Sequence, residues 1–228
     1  MAVNPADFDF ISKIVREQSA IVLEKGKEYL VESRLMPLVH QEKLESLENL
    51  VKQIKMKPRG TLKDAVIEAM TTNETSFYRD IHPFETLKKE IFPELIEKRK
   101  TQKELNIWCG ASSSGQEPYS LIMLLKNSFP QLNTWKTNFS ASDLSNQMLN
   151  RCKSGIYSQL EINRGLPAPL MVKYFERIGT EWQVKEELRK MIQFRIINLS
   201  ENWPMMGTLD LIMMRNVLIY FDVEMKKN

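Results

Sequence analysis

Apolar residues in the first seventy positions recur at helical spacing. Phe8, Ile11, Ile14 and Val15 make one stripe, Leu30, Leu35 and Leu38 another, and Leu47, Leu50, Val51 and Ile54 a third, with no alternating run that would mark a strand. Thr61-Leu62-Lys63-Asp64 has the form of a capping box, in which the Thr61 hydroxyl satisfies an orphan amide, so a further helix is expected from Thr61 to about Met70. Thr71-Thr72-Asn73 breaks it. Pro83 stands near the first turn of a helix carrying Phe84, Leu87 and Ile91, and a charged run at 97–103 follows. From Glu104 the pattern changes class. Strands expected at 105–109, 137–142, 194–199 and 209–214 alternate with helices, which argues for a doubly wound parallel sheet. An insertion at about 155–190 holds two short extended pieces, Tyr174-Phe175-Glu176-Arg177-Ile178-Gly179 and Glu181-Trp182-Gln183-Val184, around a Gly-Thr turn, and suits a small antiparallel subdomain. The pattern therefore predicts two domains of α+β type: all-α over 1–72, a linker and helix over 73–103, and a Rossmann-like α/β domain over 104–228.

Composition narrows the class. With 228 residues and 43% hydrophobic content the chain can bury an ordinary core. No apolar stretch approaches the ~20 residues needed to cross a bilayer, and the N-terminus lacks the basic start and apolar core of a signal peptide, so a cytoplasmic protein without membrane insertion is expected. A net charge of +3 is too small to imply nucleic acid. The one local basic cluster, Lys52, Lys55, Lys57, Arg59 and Lys63, reads either as a solvated helix end or as a landing site for an acidic protein surface. Cys109 and Cys152 lie far apart and have no ligand spacing to His40 or His82, so neither a disulfide nor a metal site is expected.

The chemistry concentrates in residues 106–120, where the apolar run Leu105-Asn106-Ile107-Trp108-Cys109 passes through a loop framed by Gly110 and Gly115 into a helix starting near Glu117. The loop reads Gly-x-x-x-x-Gly. It lacks the middle glycine that admits a pyrophosphate, and no Lys-Ser/Thr pair follows Gly115, so a ligand with an adenosine but no phosphates fits better. Asp143, just past the second strand, stands at the carboxyl edge of the sheet. It can accept from both ribose hydroxyls or cap the helix beginning at Leu144. Glu117 can equally be a surface acid complementing a helix dipole. Trp108 and the thirteen methionines read as core filling.

Three further segments carry a resemblance. Asn73-Glu74-Thr75-Ser76-Phe77-Tyr78-Arg79, Ala141-Ser142-Asp143 and Arg215-Asn216-Val217-Leu218-Ile219-Tyr220-Phe221-Asp222, in that order, resemble the signatures of CheR-type chemoreceptor glutamate O-methyltransferases, and the likeness runs from about the first helix to the last residue. Tyr78, Gln116 and Cys109 depart from the family's usual Phe, Glu and small residue. The resemblance implies S-adenosylmethionine as cofactor and S-adenosylhomocysteine as product. It also implies cofactor contacts at Asn73, Thr75, Arg79, Gly110, Glu117, Asp143, Asn198, Leu199, Arg215 and Asn216. By the same resemblance Arg79 and Tyr220 orient the incoming carboxylate, and Arg34 faces the substrate. Residue by residue, plainer roles stay open: Asn73 and Thr75 as turn residues, Arg79 as a partner of Asp80 or of a helix terminus, Tyr220 as a half-buried end to an apolar run. The implied partner is the cytoplasmic helical bundle of a methyl-accepting chemoreceptor. The Gly-x-Gly loop of relatives that dock a receptor's C-terminal pentapeptide is not found in the insertion.

Methylating a carboxylate joins an anion to a sulfonium and destroys charge in the transition state, so such a site must exclude water and align its partners. A glutamate with an ordinary pKa of ~4.3 is already ionised, and no catalytic base is called for. Complete members of the family continue past Tyr-Phe-Asp with a helix and further strands. The expectation is therefore a C-terminally incomplete sheet with its 209–214 strand apolar and unpaired at one edge. A truncated or non-catalytic S-adenosylmethionine-binding relative is the alternative reading, and a methyltransferase acting on RNA or small molecules a third.

Overall fold

In a computed structural model, the described residues are 3–58 and 60–221. By its internal contacts the chain divides into a helical unit, Met1–Thr72 with Asn198–Asn202 and Asn216–Asn228, and an α/β unit, Asn73–Ile197 with Trp203–Arg215. Arg59 of the basic cluster and Asp222 of the last signature lie outside the described residues.

The helical unit contains α1 (Pro5–Ser19), α2 (Glu28–Gln41), α3 (Leu47–Met56) and α4 (Thr61–Met70). The expected stripes are its core: Ile11, Val15, Leu35 and Leu50 are fully buried. In α2 the stripe is led by Val31 and not Leu30, which is only half-buried. Asn4 caps α1 by accepting from the Asp7 amide at 2.9 Å, and Ser46 caps α3 by accepting from Asn49. The capping box expected at Thr61 does not form. Gly60 occupies the N-cap position, and Thr61 is already the first helical residue, one place too late for its hydroxyl to reach the orphan amides. Two of the cluster's lysines have partners nearby, Lys52 with Glu48 at 2.9 Å and Lys55 with Asp7 at 3.8 Å.

The α/β unit opens with α5 (Ile81–Thr86) and α6 (Phe92–Arg99), joined by a π-turn over Leu87–Ile91. Pro93 explains the widened turn. It has no amide to donate, and in an ordinary helix its ring would strike the carbonyl four residues back. Then come β1 (Glu104–Cys109), α7 (Gln116–Ser128), β2 (Lys136–Asp143) and α8 (Asn146–Ser154). The inserted part holds β3 (Ile156–Tyr157), α9 (Gln159–Asn163), α10 (Ala168–Tyr174), β4 (Phe175–Ile178), β5 (Glu181–Val184) and α11 (Glu186–Arg189), and the unit ends with β6 (Ile192–Ile196) and β7 (Leu211–Met213).

The main sheet is parallel in the order β6-β2-β1-β7, the Rossmann-like arrangement that the alternating pattern predicts. Its apolar face, with Leu105, Ile107 and Phe139, packs under Leu121, Ile122 and Leu125 of α7. The insertion forms the expected antiparallel sheet, ordered β3-β5-β4, with Gly179 in a left-handed turn. Two strand ends need correction. β6 stops at Ile196 and not at residue 199, because the Asn198 side-chain oxygen accepts from the Ser200 amide and hydroxyl and turns the chain. β7 covers three residues of the expected 209–214, since the Asp210 side chain is given to β1 and to α6. Among the described residues no helix is long and apolar enough to cross a membrane.

Asp210 clamps the amino edge of this sheet. Its carboxylate is 2% exposed and accepts from Arg99 Nε at 2.7 Å and from the Asn106 amide at 2.8 Å. Arg99→Ala should therefore lower unfolding stability by about 1.5–3 kcal/mol, measured by urea denaturation, because a buried charged acceptor loses its cation.

Candidate functional site

The carboxyl edge of the sheet is built around the loop from Gly110 to Gly115. A β-carbon on Gly110 would sit 3.1 Å from Met214 Cε. Gly115 is more constrained: its φ is +99°, and a β-carbon would lie 2.4 Å from Cys152 Sγ. Ala111 and Ser113 also hold left-handed conformations, with φ of 52° and 48°. Strain of this kind persists only where surrounding bonds fix it. Here the Ser112 amide donates to Ser142 O at 2.9 Å, and Tyr157 donates its hydroxyl to Ser114 O at 2.7 Å. The Ser112 hydroxyl is buried with no partner in the protein.

Asp143 is the chief anchor of that loop. One carboxylate oxygen accepts from the Ser113 amide at 2.7 Å and the other from the Ser145 amide at 2.9 Å. Helix capping falls to another residue. α8 starts at Asn146, and its cap is the Ser145 hydroxyl, which accepts from the Met148 amide. A carboxylate has about four acceptor positions, so one aspartate can hold several donors of this loop together.

The linker folds across the loop, as contact between Asn73 or Thr75 and a ligand there would require. Ser113 donates its hydroxyl to Asn73 O at 3.0 Å, and the Tyr78 amide donates to Ser120 Oγ on α7 at 3.0 Å. Thr75 is half-buried along the same stretch. Phe77 is fully buried, edge-on to Tyr157 and Phe175 of the inserted sheet. Arg79 Nη1 donates to Glu74 O at 2.8 Å.

Arg215 joins three segments. Its Nη1 donates to Glu117 Oε2 at 2.9 Å, while its Nη2 donates to Arg79 O at 2.9 Å and to Asp80 Oδ2 at 3.0 Å. Asp80 therefore pairs with Arg215 and not with its neighbour Arg79. Glu117 is not a surface acid: its side chain is 15% exposed, and burial pushes its carboxyl above the usual range, opposed by Arg215 and then Arg79. No local pattern marks Asp80 as part of this cluster. Only its place beside the Arg79 signature offers a signal.

Gly110, Glu117, Asp143, Asn73, Thr75, Arg79 and Arg215 thus share the α/β unit, whereas Arg34, Asn198, Leu199, Asn216 and Tyr220 belong to the helical one. Arg34 closes the end of α4, donating to Met70 O, Thr71 O and Thr72 Oγ1 at 2.6, 3.1 and 2.9 Å. The Asn198 amide group donates to Gln18 O at 2.7 Å, and Leu199 beside it is half-buried. Asn216 is left-handed, with φ 55°. Tyr220 ends a 3-10 turn and not a strand, its carbonyl accepting from the Val22 amide.

Comparison with known proteins is consistent along the whole chain. Residues 6–71 match the family model described as CheR methyltransferase, all-alpha domain, and residues 73–228 the one described as CheR methyltransferase, SAM binding domain. A Pseudomonas putida protein named chemotaxis protein methyltransferase Cher2 is 40% identical over 233 residues, covering 100% of this chain and 84% of its own length. Chemotaxis protein methyltransferase 1 of Pseudomonas aeruginosa is 41% identical with the same coverage. The chemotaxis protein methyltransferase of Vibrio parahaemolyticus is 38% identical, over 99% of this chain and 82% of its own.

The pairing of Arg215 with Glu117 gives a pH-dependent expectation. A carboxyl raised by burial keeps its proton in the folded state at pH values where the unfolded chain has lost it, so its contribution falls as pH rises through that range. Arg215→Ala removes the main opposing charge and raises the carboxyl further. The variant's melting deficit should be small near about pH 4 and grow toward neutrality, where about 2 kcal/mol is expected; a deficit independent of pH would mean the pair acts by packing alone.

Proposed function

From the premise that the chain belongs to the CheR methyltransferase family, we propose that it transfers a methyl group from S-adenosylmethionine to glutamate side chains on the cytoplasmic helices of chemoreceptors, acting in the cytoplasm. The observation that carries this reading is the charged cluster Arg79, Glu117, Arg215 and Asp80 beside the Asp143 loop, which offers both signs of charge next to an adenosine-type loop. S-adenosylmethionine fits those residues. Its methionine end carries an ammonium and a carboxylate, its ribose two hydroxyls, and the loop holds a buried, unpartnered Ser112 hydroxyl.

When bound, the cofactor would supply an electrophilic sulfonium methyl for transfer to a glutamate oxygen, with S-adenosylhomocysteine as the leaving product. The chain's own residues bind and align. In this reading Asp143 accepts from the ribose hydroxyls and Glu117 from the ammonium. Arg79 holds a carboxylate by a forked, charge-assisted contact. Asn73, Thr75 and Gly110 complete that end of the loop. For Arg34, Asn198, Leu199, Asn216 and Tyr220, the roles in binding and substrate orientation rest on the family resemblance alone.

The test is transfer of a labelled methyl group to receptor-containing membranes, with release as methanol in mild base, which identifies a carboxyl ester. Asp143→Ala should weaken S-adenosylhomocysteine binding in calorimetry by about 1.5–3 kcal/mol, as for hydrogen bonds to a charged group. Since Asp143 also holds two loop amides, melting is followed in parallel, and unchanged affinity would leave Asp143 a loop anchor only.

Recognition is proposed to be independent of a receptor's C-terminal pentapeptide. The β4–β5 connection consists of Gly179 and Thr180 alone, with Arg177 Nε donating back to Gly179 O, and has no second glycine. An isolated pentapeptide should fail to retain the protein in a pull-down; retention would count against this.

A further inference from the structure

The Asn73–Arg79 linker is gripped by the insertion at a point remote in sequence. Gly165, just past α9, has φ +96°, and a β-carbon there would lie 2.1 Å from Phe77 O, so its backbone is seated directly against the linker. Phe77 itself is locked by ring contacts at 5.0 Å to Tyr157 and 5.6 Å to Phe175. The neighbouring residue, Arg164, is thereby held where its guanidinium pairs with the Glu74 carboxylate.

Glu74 stands between two cations. Its carbonyl already accepts from Arg79 Nη1 at 2.8 Å, which places the Arg79 guanidinium beside it, while its carboxylate is taken by Arg164. The carboxylate is held below its usual range first by Arg164, through the hydrogen bond and its charge, and then by the charge of Arg79. A carboxylate in that position is a potential intramolecular competitor. If it turned to Arg79 it would occupy the fork that an anionic partner needs.

We infer that Arg164 is a positioning residue that sequesters the Glu74 carboxylate, so that the Arg79 guanidinium stays available to the carboxylate it serves. This rests on the reading of Arg79 under the proposed function. The insertion then acts on methyl transfer through the linker, and Gly165 sets the distance at which it does so. The effect is modest, because the pair is exposed and screened by solvent.

Methyl transfer by the full chain is measured for Arg164→Ala, Glu74→Gln, the double variant and Arg79→Ala, with melting recorded for each. Arg164→Ala should lower kcat/KM by about three- to fivefold with melting close to the parent. Adding Glu74→Gln, which removes the competitor, should bring the double variant back to within about twofold of the parent, a rescue that a merely structural role would not give. Arg164→Lys, which keeps the pairing charge, should retain the parent rate. Parent activity in Arg164→Ala alongside a strong loss in Arg79→Ala overturns the inference and leaves the role of Arg79 intact. A loss in Arg164→Ala that Glu74→Gln does not rescue also overturns it. Parent activity in Arg79→Ala would remove the underlying reading as well.

Discussion

Glu117 is largely buried, and Arg215 is the largest influence opposing the rise that burial imposes on its carboxyl. Its carboxylate sits near the start of α7 with little water, and the Arg215 guanidinium supplies the compensating charge while also bonding the Arg79 carbonyl and the Asp80 carboxylate. One planar fork therefore fixes the order of three segments that meet at the carboxyl edge of the sheet: the linker, the first turn of α7 and the chain after β7. Asp80 shows what this arrangement sacrifices. It stands at the N-cap of α5 in a left-handed conformation and makes no capping bond, so its side chain is given to Arg215 instead.

The cluster is balanced in sign, two guanidinium groups against two carboxylates. A balanced site suits a zwitterionic partner better than a purely anionic or cationic one, because each end finds its complement without leaving a net buried charge. It also matches the proposed reaction, which consumes one charge of each sign. For that proposed reaction the demand on a site is alignment and exclusion of water, and a carboxylate that is already ionised calls for no base.

Legibility in the sequence followed the range of the interaction that decides each feature. Periodicity showed the helical stripes, the parallel core strands and the inserted hairpin, because burial acts through local spacing: Ile107 and Phe139, or Phe175 and Val184, are where an apolar pattern puts them. Strand ends were less legible. β6 stops at an asparagine turn and β7 starts after an aspartate used elsewhere, both matters of single side chains. The Thr61 box failed by one residue of helix register. Motif resemblance brought out Asp143, Glu117 and Arg215, yet it could not show that Glu117 is buried, nor that Ser145 takes the cap Asp143 was free to make. Asp80 with Arg215 and Glu74 with Arg164 were invisible because each joins residues far apart along the chain.

The contact between Gly115 and Cys152 sets a volume limit on both positions. With φ at +99° and a sulfur occupying the space a side chain would need, position 115 admits glycine alone, and position 152 is bounded from above in volume. Cysteine, serine or alanine can stand on that face of α8, whereas a valine or leucine would press on the loop backbone. The room at position 152 is thus set by a neighbour that has no side chain at all, and the buried thiol fills it as a small apolar group.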